Sequence, residues 1–82
     1  MQDKKPLNDN GEPHGYWEVY QSNGSLWYKG EFINGQYHGL LTTYWNDGNP
    51  YSENNFVYGK LIGLRIWFNK NNSIKQTRFY AR

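Results

Sequence analysis

The side chains of this sequence that could do chemistry are two histidines and a few carboxylates. His14 and His38 lie 24 residues apart, and the residue another 24 positions along is Ile62. A position that accepts isoleucine is a packing position, and no carboxylate or imidazole cluster completes a metal site around it. Asp47 and Glu53 have no partner at a spacing typical of general acid–base catalysis. The sequence therefore predicts no metal, no cofactor and no catalytic residue, and a protein that is not an enzyme.

The side chains with binding potential are aromatic rings and basic residues. One residue in five is aromatic, with four Trp, eight Tyr and four Phe. Residues 60–82 carry six basic side chains and no acid, whereas residues 1–59 carry three lysines and seven acids. Exposed rings and clustered charge are typical of a docking surface. We expect the partner-binding residues to be Trp17, Trp27, Trp45, Tyr51, Arg65, Trp67, Lys70, Lys75 and Arg78.

A repeat of about 24 residues positions these side chains. Two sets of glycines recur at this step, and aromatic residues and turn dipeptides recur in phase with them. The recurring residues are Gly15, Gly39 and Gly63; Gly11, Gly35 and Gly59; Tyr20, Tyr44 and Phe68; and Asn23-Gly24, Asp47-Gly48 and Asn71-Asn72. Asn-Gly or Asp-Gly between two apolar runs indicates a β-hairpin, because its turn needs positive φ. The Asn71-Asn72 turn should also form, with some strain.

The repeat predicts an all-β protein, a single-layer antiparallel meander of three tandem β-hairpins over residues 10–82. Its units are about 10–33, 34–57 and 58–82, and a flexible leader over residues 1–9 precedes them. No segment has a period of 3.6, so we expect little or no helix. Such a sheet has two unpaired edges.

Alternation along the strands sorts the side chains onto two faces. We expect one face to be the packing face, because its aromatic positions recur in every repeat. Its members are Tyr16, Tyr20, Tyr28, Phe32, Leu40, Tyr44, Phe56, Leu64, Ile66, Phe68, Ile74 and Tyr80. We expect the other face, which carries the four tryptophans, to be exposed. Its further members include Val19, Leu41, Tyr51 and Phe79.

The first repeat resembles the MORN repeat, in its bacterial and phage variant. The resemblance is carried by Asn10-Gly11, His14-Gly15, Trp17, Tyr20, Asn23-Gly24, Leu26, Tyr28, Gly30 and Phe32. The second repeat matches well, and the third has lost the turn glycine and has Arg78 in place of Gly30. The resemblance covers residues 10–82. It implies a stack of hairpins with a non-catalytic interaction role, in a family whose small members are often antitoxin-like.

We expect a non-catalytic protein-binding module, a small adaptor or inhibitor that masks the surface of a partner protein. An antitoxin-like or phage-encoded modulator of a host protein fits this description. The basic end predicts a partner with an acidic surface, although basic residues on an edge strand also protect it from unwanted pairing. A homodimer is a further expectation, because the acidic first repeat and the basic last repeat favour an antiparallel pair.

The alternative function is binding of nucleic acid or of an anionic membrane surface through the basic C-terminal repeat. Rings near its basic residues could stack on bases. Against this, the net charge is only +2. Residues 1–59, which contain more acids than bases, would repel a long nucleic-acid strand. No amphipathic helix or lipidation signal supports a membrane role. No apolar run suits a membrane helix or a signal peptide, so we expect a cytoplasmic protein.

Overall fold

The fold is a single antiparallel β-sheet, and the structure, a computed structural model, describes residues 3–81. Its strands are β1 (Gly15–Tyr20), β2 (Leu26–Ile33), β3 (Gln36–Tyr37), β4 (Gly39–Tyr44), β5 (Pro50–Val57), β6 (Lys60–Leu61), β7 (Gly63–Phe68) and β8 (Ile74–Tyr80). The sheet order is β1-β2-β4-β5-β7-β8, and the short strands β3 and β6 pair with β2 and β5. The molecule measures 40 × 37 × 11 Å, and its smallest dimension is the thickness of one layer. The predicted meander is confirmed, and residues 3–81 contain no helix.

The long hairpins close in turns that place one residue in the left-handed region. In the first turn, the Gln21 N–H donates to the Ser25 carbonyl at 2.8 Å, and Gly24 has a φ of 89°. The third hairpin makes the same backbone hydrogen bonds, with Asn72 at a φ of 72° in place of glycine. Asn tolerates this conformation better than other non-glycine residues, so the turn predicted at Asn71-Asn72 forms.

The connectors between repeats contain the short hairpins β2–β3 and β5–β6. Asn34 and Gly35 have φ values of 46° and 88°, and Tyr58 and Gly59 have values of 46° and 84°. Two consecutive positive φ values are the mark of a type I′ turn. In each turn the glycine N–H donates at 2.8 Å to a carbonyl of the preceding repeat. These turns therefore stack on one another at one end of the strands, and they join each repeat to the next.

The predicted leader, residues 1–9, lies against β1 over its described part. Lys4 and Glu18 exchange two backbone hydrogen bonds of 2.8 and 3.0 Å, and the Trp17 Nε1–H donates to the Pro6 carbonyl at 2.9 Å. Residues 1 and 2 of this leader, and residue 82 of the third repeat, lie outside the described residues. The β1 edge, which was predicted to be unpaired, is thus partly covered by the preceding segment of the chain.

The strand register assigns the side chains to two faces. Trp17 lies opposite Gly30, and Gly15 opposite Phe32, so odd residues of β1 share a face with even residues of β2. Following the pairs across the sheet defines a ladder face with Trp17, Val19, Tyr28, Phe32, Leu41, Phe56, Arg65, Trp67, Arg78 and Tyr80. The open face carries Tyr16, Glu18, Glu31, Leu40, Tyr44, Leu64, Ile66, Phe68, Ile74 and Phe79.

The predicted division into faces was wrong. The prediction placed all even-numbered residues on one face. In the hairpins, however, an odd-numbered residue of one strand lies opposite an even-numbered residue of the other, and the two share a face. The tryptophan face is in fact the packed one, and its Val19, Phe32 and Leu41 are the buried hydrophobic residues of the described chain. Conversely, Leu40 and Leu64 of the predicted packing face lie on the open face and are exposed.

An aromatic ladder crosses the packed face. The ring centroids of Trp17 and Phe32 are 5.0 Å apart, those of Phe32 and Tyr37 are 4.6 Å apart, and those of Tyr37 and Phe56 are 5.1 Å apart. Such pairs contribute about 0.5–1.5 kcal/mol each beyond the area that they bury. No side chain among residues 3–81 is fully buried. The ladder therefore takes over much of the role that a thick core has in other folds.

Candidate partner-binding surface

Three of the four tryptophans predicted to bind a partner are half-buried within the sheet. Trp17 belongs to the aromatic ladder, while Trp45 and Trp67 each lie against a neighbouring side chain. Trp27 is the exception, because 57% of its surface is exposed. The predicted continuous face of exposed tryptophans therefore does not form, since Trp17 and Trp67 pack on the ladder face and Trp45 packs against Tyr51.

Three predicted residues share one repeat position at a β-bulge. The register of each long hairpin shifts near its turn, and the extra residues are Trp27, Tyr51 and Lys75. Bulges redirect side chains, and they are common beside functional sites. All three residues are exposed. The bulges thus present a row of two aromatic rings and one ammonium group next to the turns of the long hairpins.

A shallow groove lies beside this row, between the second and third hairpin turns. We call it the turn groove, and its lining residues are Tyr44, Trp45, Asn46, Tyr51 and Lys70. The Trp45 and Tyr51 rings meet edge to face at 4.7 Å, and the Lys70 Nζ lies 5.2 Å from the Trp45 ring centroid. The Trp45 Nε1–H is buried and has no hydrogen-bond acceptor among residues 3–81. This N–H is shielded from solvent, whereas the Lys70 side chain beside the ring is exposed and gives the turn groove a positive charge.

An arginine pair occupies the ladder face of the third repeat. Arg65 of β7 lies directly opposite Arg78 of β8. The Arg65 guanidinium carbon is 4.4 Å from the Trp67 ring centroid, and that of Arg78 is 5.3 Å from the Tyr80 ring centroid. Arg65 Nη1 also donates to the Tyr80 hydroxyl at 3.5 Å, whereas the buried Arg65 Nε has no acceptor in the described part of the chain. The rings hold the two guanidinium groups in place through cation–π contacts.

The positive charge of this pair is not neutralised within residues 3–81. The salt bridges there are Lys4–Glu18 at 3.8 Å and Lys5–Asp3 at 3.2 Å, and both lie at the N-terminal end of the chain. Like charges directly opposite each other on neighbouring strands are destabilising. The third repeat thus presents two adjacent guanidinium groups that an anionic ligand would stabilise.

The first repeat carries a negative charge on the open face. The hydroxyls of Tyr16 and Tyr20 donate to the Glu18 carboxylate at 2.8 and 3.0 Å, and these hydrogen bonds lower the pKa of Glu18. Burial, together with the hydrogen bond to Glu18, raises the pKa of Tyr16 to about 12. The charge asymmetry of the sequence therefore becomes a spatial separation between an acidic first repeat and a basic third repeat.

The two histidines accept backbone hydrogen bonds. His14 Nδ1 accepts from the Asn34 N–H at 3.1 Å, and His38 Nδ1 accepts from the Tyr58 N–H at 3.2 Å. Both donors are the first residue of a type I′ turn in the following repeat. Each histidine thus fixes the turn that connects its own repeat to the next. Across residues 3–81, no three His, Cys, Asp or Glu side chains lie close enough to hold a metal ion.

Comparison with protein families identifies these hairpins. The family model described as a MORN repeat variant matches residues 13–34 and 37–58, which together are more than half of the chain. This is a MORN repeat protein. Repeats of this family are commonly associated with binding. Comparison with curated proteins and with solved structures gave no match.

The third hairpin has MORN geometry although the family match ends before it. Gly63 pairs with Tyr80 as Gly15 pairs with Phe32 and as Gly39 pairs with Phe56. Its bulge and turn are also equivalent to those of the matched MORN repeats. The third repeat therefore keeps the fold of the other two while its surface becomes basic. Within residues 3–81, no helix has the length and apolar character needed to cross a membrane.

On the third MORN repeat, the sequence prediction placed Phe79 correctly on an exposed face but missed the exposure of Ile74 and Leu64. Phe79 is 72% exposed and Ile74 is 59% exposed. Both belong to β8, and Leu64 of β7, also exposed, lies opposite Phe79. The parity error assigned Ile74 and Leu64 to packing. The observed register places both residues on the same face as Phe79.

Proposed function

We propose that this MORN repeat protein is a non-catalytic binding module that holds a protein partner with an acidic surface on its third repeat. The observation that carries the proposal is the arginine pair, Arg65 opposite Arg78, neither of which forms a salt bridge with a carboxylate among residues 3–81. Arginine recognises carboxylates through two parallel hydrogen bonds, and it is enriched at interfaces together with aromatic residues. The turn groove supplies a second contact, where the exposed Lys70 ammonium group favours an anionic acceptor.

In this proposal the protein is a cytoplasmic adaptor or inhibitor that masks its partner's surface. An antitoxin-like or phage-encoded modulator of a host protein is the form of such an inhibitor that we favour. The sheet suits this role, because a single layer 40 × 37 Å across offers a broad surface to a partner. The exposed Trp27 of the neighbouring bulge would extend the contact beyond Tyr51 of the turn groove.

The experiment is affinity capture of the partner from the native cytoplasm, with identification by mass spectrometry. The test variant reverses the charge of Arg65, Lys70, Lys75 and Arg78 to glutamate. The control variant reverses Lys4, Lys5, Lys29 and Lys60, so that both variants have the same net charge. We expect the wild type and the control to retain a stoichiometric partner that the test variant loses, with circular dichroism showing an intact sheet in both variants.

Salt dependence gives a second criterion for the same proposal. Affinity for the captured partner should fall as salt rises in the wild type, and this dependence should be much flatter in the test variant. Equal binding by the test and control variants would contradict the proposal. The four basic residues would then only protect the edge of the sheet from unwanted pairing. Absence of a protein partner, with strong binding to nucleic acid or to anionic vesicles, would replace the proposal by the alternative function.

A further inference from the structure

We propose that the edge strand β8 binds an extended, acidic segment of the partner by strand addition, which deepens the proposed function and rests on it. The two ends of the sheet differ in this respect. At the β1 edge, Lys4 already pairs with Glu18 through two backbone hydrogen bonds. At the other end, β8 pairs with β7 alone among residues 3–81. Alternate N–H and C=O groups of an antiparallel edge strand point away from its neighbour, and they can pair with an added strand.

The side chains of β8 determine which segment can be added. On the ladder face, Arg78 lies beside Arg65, so the added residue opposite Arg78 should be Asp or Glu. On the open face, Phe79 is the most exposed of the large hydrophobic residues, so its neighbour in the added strand should be apolar. Side chains of a strand alternate between the faces. The fitting segment therefore alternates acidic and apolar residues.

The same charges exclude a second copy of this edge. Antiparallel pairing of two β8 strands centred on Thr77 would place Arg78 opposite Gln76, so that the two Arg78 residues become diagonal neighbours on one face. Basic residues on an edge discourage such pairing. Repulsion of the wrong partner and attraction of an acidic one thus arise from the same residues, which is how specificity is commonly built.

The probe is a short synthetic peptide of alternating glutamate and valine, titrated into ¹⁵N-labelled protein. We expect saturable binding, shifted β8 amide resonances and slower hydrogen exchange at alternate β8 amides. A lysine-for-glutamate peptide should not bind. The Arg78→Glu variant should weaken binding by about tenfold or more, and the matched Lys60→Glu variant by less than about twofold. Arg78→Gln, which removes the charge without reversing it, provides an intermediate case if the reversed variant folds poorly.

Two N-methylated peptides distinguish backbone pairing from attraction between side chains. One carries methyl groups on the glutamate nitrogens and the other on the valine nitrogens, so that each removes one alternate set of N–H donors. Strand addition uses one set only, so one peptide should bind like the parent and the other should not. Equal binding of both peptides, or β8 amides that stay unprotected, would overturn strand addition.

The proposed function and the strand addition can fail separately. A captured partner that needs Arg65 and Arg78, but leaves the β8 amides unprotected, would support the proposed function and overturn strand addition. Protection of β8 by the peptide, with capture that is insensitive to the four-residue reversal, would support strand addition and contradict the proposed site of the natural partner.

Discussion

His14 and His38 show how one repeat position can combine packing with a specific hydrogen bond. The sequence presents the position as a packing slot, because its third member is Ile62. In the structure, each histidine Nδ1 holds the backbone N–H of the next type I′ turn. In the His38 case the donor is Tyr58, an aromatic residue at a φ of 46°. A bulky residue in the left-handed region is strained, so this hydrogen bond stabilises a costly turn.

Replacing His38 by isoleucine separates the two roles. If the position only packs, the His38→Ile variant should be as stable as the wild type. We expect a loss of about 1 kcal/mol in the free energy of unfolding, because the Tyr58 N–H loses its acceptor. Urea denaturation measures this loss. The His38→Asn variant is the control, since its side-chain oxygen can still accept, and it should recover part of the lost stability.

The Glu18 cluster predicts how the fold responds to acid. Hydrogen bonds from Tyr16 and Tyr20 lower the pKa of Glu18 below its ordinary value of 4.5. A carboxyl group whose pKa is lower in the folded state stabilises the fold above its unfolded pKa, and this contribution disappears as the pH falls through the folded value. The melting temperature of the wild type should therefore decline below about pH 4.5 more steeply than that of Glu18→Gln. Parallel pH profiles for the two proteins would contradict the role of this cluster.

At the scale of strands and turns, the sequence predicts the elements well and their faces poorly. The glycines and turn dipeptides locate the three hairpins, because positive φ restricts the residues that can occupy a turn. The faces depend on register, and the bulges that hold Trp27, Tyr51 and Lys75 change the count by one residue. A bulge has no characteristic residue type by which it could be predicted, whereas a turn can be predicted from Asn-Gly. A slip of one residue moves every side chain to the other face.

The candidate site shows the same limits. Its charge could be predicted, because residues 60–82 contain no acid. The contact of Arg65 with Trp67 also follows from their spacing of two along one strand. The pairing of Arg65 with Arg78 could not be predicted, because it depends on the β7–β8 register. The exposure of Ile74 and Leu64 likewise depends on the register, because it decides which face the ladder occupies.

Repulsion between Arg65 and Arg78 should lower the stability of the free protein. The second repeat has Leu41 opposite Asn54 where the third has Arg65 opposite Arg78. The Arg78→Asn variant removes the repulsion between like charges, and we expect it to raise the free energy of unfolding by roughly 0.2–1 kcal/mol. Lys60→Asn is the control with the same change in charge, and it should leave stability nearly unchanged. A less stable Arg78→Asn protein would show that the arginine supports the fold rather than a partner.

At the scale of the whole molecule, the separation of acidic and basic repeats favours association. An antiparallel pair would bring the first repeat of each copy, which has three glutamates and one lysine, near the basic third repeat of the other. Sedimentation equilibrium at micromolar concentration tests this association. We expect a dimer that dissociates when the salt concentration rises, because its attraction would be between exposed charges. A folded 9.8 kDa species at low salt would exclude the dimer and leave the third repeat free for a different protein.

The third repeat as the binding site is the central claim, and its most direct test is a map of the partner's footprint. ¹⁵N-labelled protein is titrated with the captured partner, and the backbone amides and the arginine and tryptophan side-chain N–H resonances are followed. We predict changes concentrated in β7 and β8, at the arginine pair and at the Trp45 Nε1–H of the turn groove, with the first repeat unchanged. A footprint centred on β1 and β2, with the resonances of Arg65 and Arg78 unmoved, would contradict the claim.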